Sequence, residues 1–283
     1  MQPRQFTRRM RKAPNRILAL FIGFLFLTAC AEVPITHRQS LQILPESQLA
    51  TLSLQEYDEV LQKSRLSKNR QQVQMVRQVG LKIARAAEAF LSEAGMQSQI
   101  KNLQWEFNLI EDDKAVNAWV MPGGKAAVYT GILPYTRNET GLAVVLGHEV
   151  AHAIAGHGNE RMSQGLLAQM GGAALSVALS ENSPETRNLF MQAYGTGATV
   201  GLLLPYSRLH ESEADRISLT LMARAGYDPR EAIPFWQRMN KQGGRRPPEF
   251  ISTHPAPRSR IANIKKYIPE ALPYYSRTKR KNQ

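Results

Sequence analysis

The stretch His148-Glu149-Val150-Ala151-His152 determines the fold and the chemistry that this sequence predicts. Residues four apart on a helix share a face, so the two imidazoles point the same way with Glu149 beside them. Zn²⁺ accepts two imidazole nitrogens, one oxygen and an open position for water. The stretch therefore predicts one zinc ion per chain, with Glu149 as the base that takes a proton from the attacking water.

The residues on either side of this motif form a mostly apolar run, which is typical of a buried helix. Asn138 or Thr140 is available to cap its start, and Gly158 lies close to its end. A chance occurrence of the motif is the competing interpretation, but an apolar helix rarely carries two histidines without a binding role.

A third metal ligand is expected from the stretch 207–216, which reads as a second helix. Glu211 and Asp215 lie four apart and share a face of that helix. If Glu211 binds the metal, Asp215 is placed to accept a hydrogen bond from a ligand histidine and fix its tautomer. His210 is the rival ligand, but it lies about 100° round the helix from Glu211. Glu213 points elsewhere and is expected to be solvated.

The region before the motif predicts a small β-sheet. Residues 103–110 alternate as a half-buried strand, and 117–121 with 126–130 form a hairpin around a Pro-Gly-Gly turn. An edge strand beside a metal cleft aligns an extended peptide by backbone hydrogen bonds, and 117–121 is the strand expected to do so. The alternative is an ordinary core hairpin with Trp119 buried.

The remaining sequence favours helices, so the predicted fold class is α+β and mostly helical. Residues 56–95 are helix-forming, and the helix that carries Glu211 is expected to stop at Gly226. Asp228-Pro229 then starts another helix. The positions expected to face inward from the first of these helices are Val73, Val76, Leu81, Ile83 and Ala84.

Four segments together resemble a family of zinc peptidases that includes the CAAX prenyl endopeptidases, HtpX, the mitochondrial Oma-type proteases and periplasmic lipoproteins of Gram-negative bacteria. The segments are 116–125, the His148–His152 helix, 207–216 and 252–255. They occur in the family's order and span most of residues 70–268. The resemblance implies a zincin-like (gluzincin) domain with a small β-sheet beside the motif helix.

The resemblance also implies roles for individual residues. His148, His152 and Glu211 hold the zinc, and Glu149 is the general base. His254 lies at the active site, where it caps the zinc at rest or stabilises the oxyanion. From the residues alone, His254 is only a histidine in a constrained loop before a proline.

The resemblance further supports substrate alignment by Asn117 and Ala118.

His37 and His157 are expected to have structural roles. His157 lies about 140° off the face of His152, so we expect it to end the motif helix rather than join the metal.

The N-terminus predicts export. Residues 17–27 are apolar but too short to span a bilayer comfortably, and they follow six basic residues, so 1–29 reads as a signal peptide. Leu27 to Cys30 resembles the bacterial lipobox, in which the cysteine is acylated. Ala31 follows it, which by resemblance indicates the periplasmic face of the outer membrane. An uncleaved signal anchor is the alternative.

Composition limits the partners and the domain count. The whole chain has a formal net charge of +13, and residues 1–29 contain six basic and no acidic residues. Removal of 1–29 therefore leaves a net charge of +7. An exported chain of that charge without a nucleic-acid motif is not expected to bind nucleic acid. Cys30 is the chain's only cysteine. We expect a lipid-anchored linker over 30–55, a zinc metallopeptidase domain over 56–270 and a basic, frayed tail over 271–283.

Two runs rich in small and apolar residues, 165–179 and 195–204, separate the halves of the zinc site. Gln169 and the shortness of the second run favour core or surface helices over membrane spans. Residues 180–205 are expected to form a mobile cover over the cleft, and a static apolar helix pair is the alternative.

The expected function is that of a zinc-dependent endopeptidase that cleaves misfolded or misassembled envelope proteins. The lipid anchor would hold it at the membrane, with the outer-membrane assembly machinery as a possible partner. The alternative is a chaperone-like or assembly factor that uses the same fold to bind clients. The intact Glu149 argues against that alternative, since a binding protein needs no base beside the metal.

Overall fold

Helices dominate the computed structural model, which describes residues 30–198, 204–241, 249–254 and 259–281. The signal peptide predicted over 1–29 lies outside these ranges. The α-helices within them are α1 (Glu46–Lys63), α2 (Arg70–Glu93), α3 (Gln97–Ile100), α4 (Leu133–Thr136), α5 (Glu139–Ile154), α6 (His157–Ala178), α7 (Pro184–Ala198), α8 (Leu204–Arg224), α9 (Ala232–Lys241), α10 (Glu249–Thr253) and α11 (Arg260–Lys281). The strands are β1 (Cys30–Glu32), β2 (Gln39–Leu41), β3 (Glu106–Ile110), β4 (Ala118–Val120) and β5 (Lys125–Tyr129). The predicted α+β, mostly helical fold is confirmed.

Helix α5, which carries the motif, lies at the centre of the fold. Its start is capped by Asn138, whose side chain accepts a hydrogen bond from the backbone N–H of Gly141 at 2.9 Å. The helix ends at Ile154, and Gly156 then turns the chain with φ 68°. Helices α2 and α8 and strand β4 pack around α5, so almost all of its residues are buried.

The predicted hairpin is present as β4 and β5, joined by a turn over 121–124. Gly123 and Gly124 have φ 88° and 90°, a region that favours glycine. The sheet order is β3-β5-β4, with β3 parallel and β4 antiparallel to β5. Strand β4 therefore forms an edge of this sheet, on the side that faces α5.

Helix α2 presents one apolar stripe to the core, as the sequence pattern predicts. Val76, Ile83 and Ala84 are fully buried, and Val73 is half-buried. The prediction for Leu81 is wrong, since 42% of it is exposed. Leu81 lies two residues before Ile83, about 200° round the helix, and therefore faces the opposite side.

The linker expected over 30–55 is instead part of the packed domain. Strands β1 and β2 form an antiparallel hairpin, and α1 follows them. The apolar side chains of this region are inserted into the protein, with Val33 1% and Leu49 6% exposed. Burial of this apolar surface stabilises the packing of the segment against the rest of the domain, which a flexible linker would lack.

Arg38, between β1 and β2, pairs with two buried carboxylates. Its guanidinium donates to both oxygens of Glu160 at 2.7 Å, and its Nη2 donates to Glu213 Oε2 at 2.8 Å. The expectation that Glu213 is solvated is wrong, because the β1–β2 hairpin covers the face of α8 that carries it. Only 4% of Glu213 is exposed.

Helices α6 and α7 form an antiparallel pair, and the first turns of α6 also pack against α5 and β2. The pair does not form a buried apolar core, since Met170, Val177 and Leu189 are each exposed over about two-thirds of their surface or more. No helix of the described ranges combines the length and apolarity needed to cross a membrane. Mobility of 180–205 stays a prediction, and 199–203 lie outside the described residues.

The frayed tail expected over 271–283 is helical as far as it is described. Helix α11 runs to Lys281 and packs along α8. Ala271 is 1% exposed, so the helix contributes to the core beyond residue 270.

We predict that the Arg38–Glu160 pair makes the free energy of unfolding depend on pH in the acid range. Burial raises the pKa of the Glu160 carboxyl, but hydrogen bonds from His210 and Arg38 more than offset this and lower the pKa to about 2. A pKa below its ordinary value of 4.5 stabilises the fold above pH 4.5, and this contribution is lost as pH falls toward 2. The shift corresponds to a stability contribution on the order of 3 kcal/mol.

The measurement is chemical unfolding of the metal-free wild type and Glu160→Gln from pH 7 to pH 2. The two free energies of unfolding should differ most above pH 4.5 and converge toward pH 2. A difference that stays constant over the whole range would contradict this role for Glu160.

Candidate metal centre

Four buried side chains, three from helices α5 and α8 and one from the residue that follows α10, converge at one point. One ligand atom from each of His148, His152, Glu211 and His254 lies within 4.8 Å of the others. Nε2 of His148 lies 3.1 Å from both Nε2 of His152 and Oε2 of Glu211. Nδ1 of His254 lies 3.1 Å from Oε1 of Glu211. The residues predicted as ligands from the sequence are therefore brought together.

Helix α8 directs Glu211 into this cluster and His210 away from it. Nε2 of His210 lies 2.9 Å from a carboxylate oxygen of Glu160, on the other side of the helix. Helix geometry thus separates two adjacent candidates, as their 100° offset predicts.

The donor set fits a zinc ion. Imidazole nitrogens and one carboxylate are the ligands of catalytic zinc sites, and they must bind in their unprotonated forms. Burial raises the pKa of the Glu211 carboxyl, but hydrogen bonds from His148, His152 and His254 lower it well below its usual range. Burial lowers the pKa of His152 well below its usual value. Both groups are therefore in the form that binds a cation. Burial lowers the pKa of His148, but hydrogen bonds to Asp215 and Glu211 raise it to about 9, so a cation must displace a proton from this ring.

Glu149 lies next to the cluster on α5 and is 4% exposed. Its Oε1 is 3.3 Å from Nε2 of His254. Burial raises the pKa of the Glu149 carboxyl. A carboxylate with a raised pKa is better matched to accepting and returning a proton near neutral pH.

Asp215 supports His148 from the side opposite the cluster. Its Oδ1 lies 3.1 Å from Nδ1 of His148, the position predicted from the four-residue spacing. Arg260 donates from Nε to Asp215 Oδ2 at 2.8 Å and from Nη2 to Glu211 Oε2 at 3.0 Å. Its guanidinium lies 3.6 Å from the ring centre of Trp236. Arg260 therefore orients two residues of the site.

Sequence reasoning missed Arg260, which is 45 residues from Asp215 along the chain. Its position six residues after His254, at the start of α11, is the available signal. That signal becomes informative only when His254 is known to lie at the metal centre.

His157 lies behind His152 and contacts it directly. The Nδ1 atoms of the two rings are 2.8 Å apart. The expectation that His157 ends α5 is wrong, because Gly156 ends that helix and His157 begins α6. His37, at the surface, contacts Glu32.

A cavity of about 520 Å³ opens beside the cluster. Glu149, His152 and His254 line one part of it, and Trp119 and Val120 of β4 line another. The base and the free edge of β4 therefore face the same space. Asn117 and Ala118 flank the start of this strand, where the side-chain Oδ1 of Asn117 accepts from the N–H of Ala118 at 2.9 Å.

We predict that Asp215→Asn weakens zinc binding about 10- to 100-fold, the usual effect of removing a carboxylate that orients a ligand histidine. The measurement is the zinc Kd by competition with a chromogenic chelator. Glu270→Gln is the control, since it removes a carboxylate from an exposed arginine pair with Arg216. Equal zinc Kd values for Asp215→Asn and wild type would contradict this role.

Comparison with known proteins assigns the family. The model of peptidase family M48 matches residues 76–268. The mitochondrial metalloendopeptidase OMA1 of Schizosaccharomyces pombe is 38% identical over 195 residues, which cover 68% of this chain and 53% of the relative. Metalloendopeptidase OMA1 of Homo sapiens is 31% identical over 262 residues, covering 89% and 48%. The beta-barrel assembly-enhancing protease of Escherichia coli (strain K12) is 30% identical over 166 residues, covering 57% and 34%.

The chain spans about half the length of these OMA1 proteins. The region shared with the family contains the motif helix, Glu211 and His254. The chain therefore belongs to peptidase family M48 and has the metal site of a zinc metalloendopeptidase.

Proposed function

We propose that this protein is a zinc-dependent endopeptidase that hydrolyses extended segments of misfolded or misassembled bacterial envelope proteins. The observation that carries the proposal is the position of Glu149, a buried base with raised pKa beside the ligand cluster and facing the β4 cleft.

The side chains of the site divide the work of hydrolysis. His148, His152 and Glu211 would hold the zinc, which when bound polarises a carbonyl and makes water more acidic. Glu149 accepts the proton of the attacking water and carries it to the departing amine. Burial of its carboxyl favours the protonated form that this transfer requires.

Strand β4 would align the substrate by adding a strand to the sheet. The backbone C=O of Asn117 and N–H of Met121 bond to β5, so those of the alternate residues Ala118 and Val120 face the free edge. A peptide bound there pairs through its backbone, which gives cleavage with little dependence on side chains. Asn117 would release the N–H of Ala118 when the peptide binds.

The proposed location is the periplasmic face of the outer membrane, with a lipid on Cys30. Support comes from the lipobox-like residues before Cys30 and from bacterial relatives named as beta-barrel assembly-enhancing proteases. Unfolded envelope proteins are the proposed substrates, and the assembly machinery of the outer membrane is a proposed partner.

His254 is proposed to cap the site at rest. Its ring lies between the metal ligand Glu211 and the base Glu149. Nδ1 is 3.1 Å from Glu211, and Nε2 is 3.3 Å from Glu149. A ring in this place occupies space that the attacking water needs. Substrate binding would then displace His254 from this position.

We predict that Glu149→Gln lowers cleavage of an unfolded outer-membrane protein about 10²- to 10⁴-fold, because the site loses its base. The zinc Kd should stay close to that of wild type, since Glu149 is not a ligand. The measurement is cleavage by the purified chain without residues 1–29, loaded with zinc. Equal cleavage by both proteins would overturn the role of Glu149, and binding of the substrate without cleavage by either would favour the client-binding alternative.

We predict that His254→Ala raises cleavage of a short unfolded peptide. For a site capped nine-tenths of the time, the rise is about tenfold, because only the uncapped fraction is competent. The measurement is the initial rate at saturating zinc, with Thr253→Ser, at the adjacent end of α10, as a control. A lower rate with zinc still bound would contradict the resting cap and assign His254 to the oxyanion alone.

A further inference from the structure

A continuous row of buried side chains joins the β1–β2 hairpin to the metal ligand His152. Arg38 donates to Glu213 at 2.8 Å, and Thr36 also donates to Glu213, at 2.6 Å. A carboxylate oxygen of Glu213 lies 3.3 Å from Nε2 of His157, whose Nδ1 is 2.8 Å from Nδ1 of His152. Except for Arg38 and Thr36 at the hairpin, all of these residues are buried.

The direction of each hydrogen bond in this row follows from the chemistry of the groups. Glu213, paired with the guanidinium of Arg38, only accepts, so Nε2 of His157 carries the proton that it donates. A contact between two ring nitrogens at 2.8 Å needs one donor and one acceptor. Nδ1 of His157 is then the acceptor and Nδ1 of His152 is the donor. This leaves the lone pair of His152 on Nε2.

Nε2 of His152 is also the atom that points into the cluster, 3.1 Å from Nε2 of His148 and 3.3 Å from Glu211. The row therefore selects the one neutral tautomer of His152 that can bind a metal there. The opposite tautomer would place a proton between His152 and the metal and leave two acceptors facing each other at Nδ1.

The far end of the row is held by a second set of contacts. Both oxygens of Glu160 accept from Arg38, and Glu160 also accepts from Ser40 and contacts His210. The ring of His210 stacks on that of His157 with centroids 4.3 Å apart. His157 is thus fixed in its plane as well as at both of its nitrogens.

We propose that Arg38, Glu213 and His157 are positioning residues that fix His152 for metal binding, which makes the Cys30–Leu41 hairpin a part of the metal site. The inference rests on the proposed function for the identity of the metal. It assigns a role to an N-terminal segment outside the 76–268 region matched by the family model.

The test is the zinc Kd of the full mature chain and its His157 variants, measured by chelator competition. His157→Asn places an amide oxygen near the lost Nδ1 and keeps an acceptor for His152, whereas His157→Gln places its amide near Nε2. We expect His157→Ala and His157→Gln to weaken zinc binding about 10- to 100-fold and His157→Asn to recover most of the loss. Arg38→Lys keeps the charge but not the two-pronged geometry, and should weaken binding to a smaller extent.

His37→Ala is the control, because it removes an exposed histidine that contacts Glu32 and lies outside the row. Its zinc Kd should stay within about twofold of wild type, below the loss typical of a residue that orients a ligand. Equal losses for His37→Ala and His157→Ala, or an Asn variant no better than Gln, would overturn the proposal. An unchanged zinc Kd in Arg38→Lys would mean that the Cys30–Leu41 hairpin has no part in positioning His152. Failure of zinc-loaded wild type to cleave would count against the proposed function alone, since the zinc Kd comparison does not depend on cleavage.

Discussion

The burial of helix α5 is the constraint on which the rest of the structure depends. A helix surrounded by α2, α8 and β4 has almost all of its residues buried, yet it carries His148, Glu149 and His152. A buried polar group without a partner is costly, so other parts of the chain must supply partners at fixed places. The metal centre is the point at which these requirements are met together.

Two layers of support follow from this constraint, one for each ligand histidine of α5. Asp215 and Arg260 approach His148 from α8 and α11, while His157 approaches His152 from the start of α6. Each histidine therefore has one nitrogen toward the cluster and one toward a support. This arrangement fixes the orientation of both rings and the tautomer of His152 before a metal arrives, which reduces the ordering that binding must impose.

Helical spacing predicted the parts of the site that lie on single elements. The shared face of His148 and His152, the offset of Glu211 from His210 and the place of Asp215 all follow from 3.6 residues per turn. The pattern could not show which element covers a given face. Glu213 was expected in solvent because it points away from the face of Glu211, but its partner Arg38, 175 residues earlier in a segment expected to be a linker, covers it.

The spacing of residues along the sequence likewise could not predict contacts that depend on a reversal of the chain direction. His157 meets His152 only because Gly156 adopts a positive φ and starts a new helix at once. The role of His254 came from the family resemblance, since a loop histidine has no periodicity to place it. Local pattern thus gave the ligands on helices, and the tertiary fold gave the residues that support them.

The most direct test of the account is a zinc-edge anomalous difference map from crystals of the zinc-loaded protein. We predict one peak at about 2.0–2.2 Å from Nε2 of His148, Nε2 of His152 and the carboxylate of Glu211. Nδ1 of His152 should face His157. A peak outside this cluster, or zinc bound through Nδ1 of His152, would contradict the account.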